Sequence, residues 1–223
     1  MLVRHWMTKD VFTVTPETSM LKANKLMKEH RIGRLPVVDG DGRVVGIVSD
    51  RDIRSASPSQ ATTLDMYEIY YLLSEVRIKD IMTANPLTID QHETVESAAM
   101  ILEEKGFGGL PVVDAQGNLV GIITSSDLFK VLLNITGARK GGVQMGFSVP
   151  DRKGGMRAIF DTLREAGASI VSVLSSSDDT SEGMRNVYVR IRPMDRAAED
   201  ALVEKLKQEY NLLYWARNHM HLV

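Results

Sequence analysis

The sequence predicts an α/β protein assembled from α+β modules: two copies of one unit packed as a pseudo-two-fold pair, then a smaller domain of order βαββαβ. Three observations lead there. Blocks of sequence recur at one fixed spacing through the first two-thirds of the chain. Within each copy the apolar pattern alternates between helix-like and strand-like. Beyond a glycine-rich stretch at 137–142 a new series of strands and helices begins. With 223 residues, the chain has room for two or three small domains that each bury a core.

The repeat carries most of this prediction. Met7-Thr8 returns as Met82-Thr83, Leu35-Pro36-Val37-Val38-Asp39 as Leu110-Pro111-Val112-Val113-Asp114, and Gly46-Ile47-Val48-Ser49 as Gly121-Ile122-Ile123-Thr124, each pair 75 positions apart. One unbroken register marks residues 1–76 and 77–138 as copies of one unit.

Each copy is expected to run strand, helix, strand, strand, helix. In copy one the first helix is expected to start at Thr15-Pro16-Glu17, with Thr15 as N-cap and Pro16 at the first helical position; in copy two Asp90 to Glu93 has capping-box spacing. Leu21, Leu26 and Met27, matched by Val95, Met100, Ile101 and Leu102, continue at helical spacing. Two short β-branched runs follow, Leu35 to Val38 and Val44 to Val48, joined by Asp39-Gly40-Asp41-Gly42, a hairpin signal. Asp114-Ala115-Gln116-Gly117 repeats it. A helix then begins at Ser49 and again at Thr124. Residues 55–63 read as a loop and Leu64 to Val76 as a connecting helix, with Leu64, Met66, Tyr67, Tyr70, Tyr71, Leu72, Leu73 and Val76 as packing residues. One copy alone is too small for a comfortable core, so the two are expected to pack together.

Composition excludes several functions. Lys+Arg 27 against Asp+Glu 29 leaves a net charge of -2, which argues against a nucleic-acid partner. No apolar run reaches the roughly 20 residues of a membrane span, and residues 1–11 hold no signal-length apolar stretch, so a cytoplasmic protein without a membrane partner is expected. With Cys 0 there is no disulfide, thiolate metal site or cysteine nucleophile. His5, His30, His92, His219 and His221 form no HExxH motif, and His219 with His221 reads as solvated rather than as a metal site. Neither a phosphate loop ending in GKS/T nor a Gly-x-Ser-x-Gly motif occurs. No set of nucleophile and base emerges, so neither catalysis nor a catalytic cofactor is expected.

The informative motif is the strand-to-helix junction, Ser49-x-x-Asp52 and Thr124-x-x-Asp127. Taken singly, a hydroxyl three places before a carboxylate is a helix-capping device. Repeated where two copies should face each other, it also offers backbone N–H groups, a hydroxyl and a carboxylate on one small surface. Ribose hydroxyls suit the carboxylate; phosphate suits the helix start and a nearby arginine.

These residues resemble the cystathionine-β-synthase (CBS) domain, a duplicated regulatory module that commonly binds adenosine compounds in clefts between its copies. The resemblance covers about 1–138 and rests on the Met-Thr start, the Leu-Pro-Val-Val-Asp strand and the Gly-x-x-Ser/Thr-x-x-Asp junction. It implies one cleft formed by Arg34, Ile47, Ser49 and Asp52 with Thr83, Pro86, Leu87 and Thr88. A second would be formed by Ile122, Thr124 and Asp127 with Thr8, Val11, Phe12 and Thr13. Arg34 matches a position that is often basic in the family, whereas copy two has Gly109 there. Cleft one is therefore the one expected to take a charged nucleotide, AMP, ADP or ATP, unless Arg34 is only a solvated surface charge. Arg51 could add a second cation or project into solvent.

Past the linker at Gly137 to Gly142, Val143, Met145, Phe147 and Val149 alternate as a strand, and a helix carries Met156, Ile159, Phe160 and Leu163 up to Gly167. Strands at Ser169 to Ser175 and Asn186 to Arg192 flank a polar loop at Asp178 to Gly183. A helix over Arg196 to Tyr210 and a strand over Leu212 to Ala216 complete βαββαβ. This order, with Val149 to Met156 at the first strand-to-helix turn, resembles the ACT domain over about 143–218, a ferredoxin-like regulatory fold that often binds amino acids at dimer interfaces. Lys153 stands where that family commonly has proline. Gly154 and Gly155 could admit a ligand or serve the turn alone. Two CBS copies followed by one ACT domain is the arrangement of AcuB-like proteins, a group named for acetoin utilisation. The resemblance implies a homodimer, and two functions remain open: an allosteric sensor of adenosine nucleotides, or a dimeric scaffold whose junctions only cap helices.

Overall fold

The computed structural model describes residues 1–57 and 66–217. The chain folds as two compact units, Met1–Phe129 and Lys130–Val223.

In the first unit the two copies have the same plan. Copy one contains α1 (Met20–His30), the hairpin β1 (Arg34–Val38) and β2 (Val44–Ser49), α2 (Asp50–Ala56) and α3 (Met66–Glu75). Copy two contains the short strands β3 (Thr83–Ala84) and β4 (Ile89–Asp90), α4 (Val95–Lys105), the hairpin β5 (Gly109–Val113) and β6 (Leu119–Thr124), and α5 (Ser125–Ile135), which crosses into the second unit in sequence. The hairpins share one register: Arg34 faces Ser49 and Pro36 faces Ile47, as Gly109 faces Thr124 and Pro111 faces Ile122. Both turns are built alike. The carboxylate of Asp39 accepts the N–H groups of Asp41 and Arg43, that of Asp114 those of Gln116 and Asn118, and Gly42 and Gly117 take φ of 83° and 84°.

The copies exchange their opening segments. Thr83 pairs with Ile47 of β2, while Thr8 forms a bridge with Ile122 of β6. Glycine permits each crossing, because a Cβ at Gly46 or Gly121 would collide with the sulfur of Met82 or Met7. The cores interlock accordingly. Ile78, from the start of copy two, is fully buried with Met20, Met27, Leu35, Val37, Val48 and Ile53 of copy one, and Val3 is fully buried with Ile89, Leu102, Leu110, Val112 and Ile123 of copy two. An aliphatic side chain buried this way contributes about 1.5–3 kcal/mol, so each copy is completed by the other.

Several expectations need correcting. The first helices begin four residues later than the capping patterns suggest, with Ser19 and Thr94 as N-caps that accept the N–H groups of Lys22 and Ser97. The residues expected as caps form turns just before them: Thr15 N–H donates to the Thr18 hydroxyl, and Asp90 accepts the N–H of His92. No strand is formed over 1–19, where Thr8 and Val14 make only isolated bridges. Ser55 and Ala56 belong to α2 rather than to a loop. Tyr71 is 66% exposed and so is not a core residue, whereas Leu73 and Val76 lie against the copy-one core. Leu64, and the side chains of Met66, Tyr67, Tyr70 and Leu72, lie outside the described residues.

The second unit has β7 (Val143–Pro150), α6 (Arg157–Glu165), β8 (Ile170–Ser176), β9 (Met184–Ile191), α7 (Arg196–Glu209) and β10 (Leu212–Arg217), with strand order β10-β7-β9-β8, all neighbours antiparallel. Val143, Met145, Phe147 and Val149 of β7 join Val187, Val189 and Ile191 of β9 in burying Ile159 and Leu163 of α6 and Leu202 and Leu206 of α7. This is the expected βαββαβ ferredoxin-like domain. The buried Arg190 guanidinium donates to the carbonyls of Thr136 and Gly141 and to Gln144 Oε1, holding the preceding segment on the sheet. Burial lowers its pKa. His219 and His221 lie outside the described residues.

Candidate functional site

Both junctions cap helices. At the end of β2 the Ser49 N–H and hydroxyl donate to Asp52 Oδ2 at 2.8 and 2.6 Å, and the Asp52 N–H returns to Ser49 Oγ at 3.3 Å. At the end of β6 the Thr124 N–H and hydroxyl donate to Asp127 Oδ2 at 3.0 and 2.8 Å. Capping does not exhaust the first carboxylate, since Oδ1 of Asp52 accepts no hydrogen bond from the described residues. Asp127 is only 3% exposed.

A cavity of about 400 Å³ opens beside Asp52, within the roughly 300–1,000 Å³ of small-molecule sites. Arg34, Ile47, Ser49 and Asp52 of copy one line it, together with Thr83, Pro86 and Leu87 from the exchanged segment of copy two. Thr88 is half-buried beyond the lining. The opposite wall is a segment that sequence reasoning missed: Lys105, Gly106, Phe107, Gly108 and Gly109, running from the end of α4 into β5. The repeat register was the signal that could have found it. Position 109 is the counterpart of 34, and near a two-fold axis counterparts meet. They do so here: the Arg34 guanidinium lies where a Cβ of Gly108 would sit, and its Cδ is 3.4 Å from where a Cβ of Gly109 would stand. Two arginines would compete for this space; one arginine above two glycines fits. Arg51 also lines the cavity, as does Asp50, whose carboxylate is paired with Arg54 at 2.6 Å.

The second set of predicted residues is arranged differently. Thr8 and Ile122 are tied to each other, N–H to carbonyl in both directions, at 2.9 and 3.0 Å. Phe12 is 42% exposed and stacks on His30, ring centroids 3.7 Å apart and 22° from parallel. Val11 and Thr13 flank it, half-buried. In the register of the repeat, Phe12 and His30 are the counterparts of Leu87 and Lys105, so an aromatic pair stands where the first cleft has an aliphatic residue and a cation.

In the second unit the turn after β7 is held by the Asp151 N–H to the Gly183 carbonyl and by an ion pair of Asp151 with Arg185 at 3.2 Å. Gly154 has φ of 78°, and a Cβ at Gly155 would meet the Pro150 carbonyl. The turn itself therefore requires both glycines. Arg185 escaped the sequence reading because its partner lies 34 positions away, with no pattern linking them.

Exchanged α/β repeats around a shared cleft, followed in the chain by a ferredoxin-like domain, define a class of tandem-repeat proteins with an appended α+β domain. The chain belongs to the CBS-domain family: the CBS domain model matches residues 3–59 and 78–134, and the ACT domain model matches 143–209. A CBS domain-containing protein of Dictyostelium discoideum is 37% identical over 134 residues, 60% of this chain and 92% of that protein. CBSX2 of Arabidopsis thaliana, solved in complex with AMP, is 34% identical with a TM-score of 0.52, covering 60% of this chain and 97% of that one. The CBS domain pair of protein MJ0100, solved with 5-methylthioadenosine and S-adenosyl-L-methionine, is 30% identical with a TM-score of 0.50, covering 59% and 95%. A crystal structure of an acetoin utilisation protein, AcuB, from Vibrio cholerae is 27% identical with a TM-score of 0.52, covering 62% and 95%. Among the described residues no helix is long and apolar enough to cross a membrane.

Proposed function

We propose that this protein is a regulatory sensor of an adenosine nucleotide, AMP, ADP or ATP, bound in the cleft between the CBS copies at Arg34, Ile47, Ser49, Asp52, Thr83, Pro86 and Leu87. The observation that carries the reading is a cavity of nucleotide size with a carboxylate oxygen free of capping bonds and an arginine laid across a glycine platform. Asp52 would accept the ribose hydroxyls, and Arg34 would meet phosphate. Related CBS pairs hold AMP, S-adenosyl-L-methionine and 5-methylthioadenosine, which supports the adenosine part.

The role is regulatory rather than catalytic, in a cytoplasmic homodimer, with an amino acid as the ligand class for the ACT domain. The likeness to AcuB makes acetoin utilisation the first process to test. A scaffold is the second reading, and the capping bonds at both junctions favour it. Thermal melting separates the two. A ligand at one hundred times its Kd stabilises the fold by about 2.7 kcal/mol, so AMP, ADP or ATP should raise the melting temperature, and Asp52→Ala should remove the part due to this cleft. Melting unchanged by every adenosine compound would leave the scaffold standing.

A further inference from the structure

Three cations line the cleft from three different elements: Arg34 on β1, Arg51 on α2 and Lys105 at the last position of α4. None is engaged in an ion pair among the described residues, unlike the neighbouring Asp50, which Arg54 neutralises. The cavity thus has more positive charge than its own carboxylates balance. An excess of cations raises the potential of a cleft and favours an anion there. They differ in exposure. Arg34 is half-buried over Gly108 and Gly109, whereas Arg51 and Lys105 are exposed. With a ribose at Asp52, the half-buried Arg34 suits the first phosphate and the exposed Lys105 one nearer solvent.

We propose that the cleft counts phosphates: it selects adenosine di- and triphosphates over the monophosphate, and Lys105, given by the second copy, is the residue that reads the added charge. This rests on the nucleotide-sensing assignment above and deepens it. It also sets this cleft against cationic or uncharged adenosine compounds, because a sulfonium would meet three cations against two carboxylates.

Isothermal titration of the full chain with adenosine, AMP, ADP and ATP, without divalent cations, tests it, using wild type and Lys105→Gln. The expected result is affinity rising from adenosine through AMP to ADP and ATP. Lys105→Gln should weaken ATP roughly threefold to tenfold, the span for a partly exposed charge-assisted contact, and change AMP less than about twofold. Because Lys105 is exposed and makes no ion pair among the described residues, the variant should melt with wild type, so lost affinity is not lost fold. Equal affinity for adenosine and ATP, or equal weakening of AMP and ATP in Lys105→Gln, overturns phosphate counting while leaving adenosine sensing intact. Failure of all four compounds to bind wild type overturns both.

Discussion

Single carboxylates do different work in this protein. Asp52 and Asp127 sit in matching positions, yet one lines a cavity and the other is buried to 3% exposure. Asp114 serves the hairpin turn alone, where N–H groups of Asn118 and Gln116 converge on it, the backbone bond from Asn118 foremost, and hold its pKa below the ordinary carboxylate range. Asp90 is lowered in the same way, chiefly by the N–H of His92. A carboxylate with a depressed folded pKa adds stability above its unfolded value, near 3.9, and loses it as pH falls through the folded value. Melting temperature should therefore decline on acidification below about pH 4, and Asp114→Asn should flatten that limb. An identical acid limb in the variant would show that Asp114 does not contribute to it.

Among the elements, the helices are the clearest case of partial legibility. Their existence and apolar faces follow from Leu26, Met27 and Leu102 at helical spacing, but their starts do not. Thr15 and Asp90 have cap chemistry and use it in turns, because the backbone that follows is engaged elsewhere: Lys79 N–H binds the Pro16 carbonyl, and Val95 N–H the Met1 carbonyl. Those partners come from the exchanged segments, and no local pattern announces them. Thr94→Ala should cost about 1 kcal/mol in denaturant unfolding, as loss of an N-cap does, whereas Glu93→Ala, at a position that merely looks like part of a cap, should stay within about 0.5 kcal/mol. The reverse ranking would mean the helix starts at Asp90 after all.

For the chain in its entirety, the duplicated register exposed the architecture and seven of the residues that line the cavity, since motifs 75 positions apart define both copies and their junctions. The facing wall was legible only through Gly109, the register counterpart of Arg34. Lys105 to Gly109 carries no motif, and its proximity to Arg34 exists only once the copies are paired. The same pairing leads us to expect that the first unit unfolds as one body. Ile78→Ala, although it changes copy two, should destabilise copy one by about 2–5 kcal/mol, with both copies unfolding in a single transition. Two separated transitions in hydrogen exchange would contradict this interlocking.

Nucleotide sensing between the copies is best decided by a crystal structure of the full chain grown with saturating ATP. Density should lie between the copies, with the ribose hydroxyls on Asp52 and the phosphates along Arg34 toward Lys105. An empty cleft in well-ordered crystals, or a nucleotide held elsewhere on the chain, would contradict it.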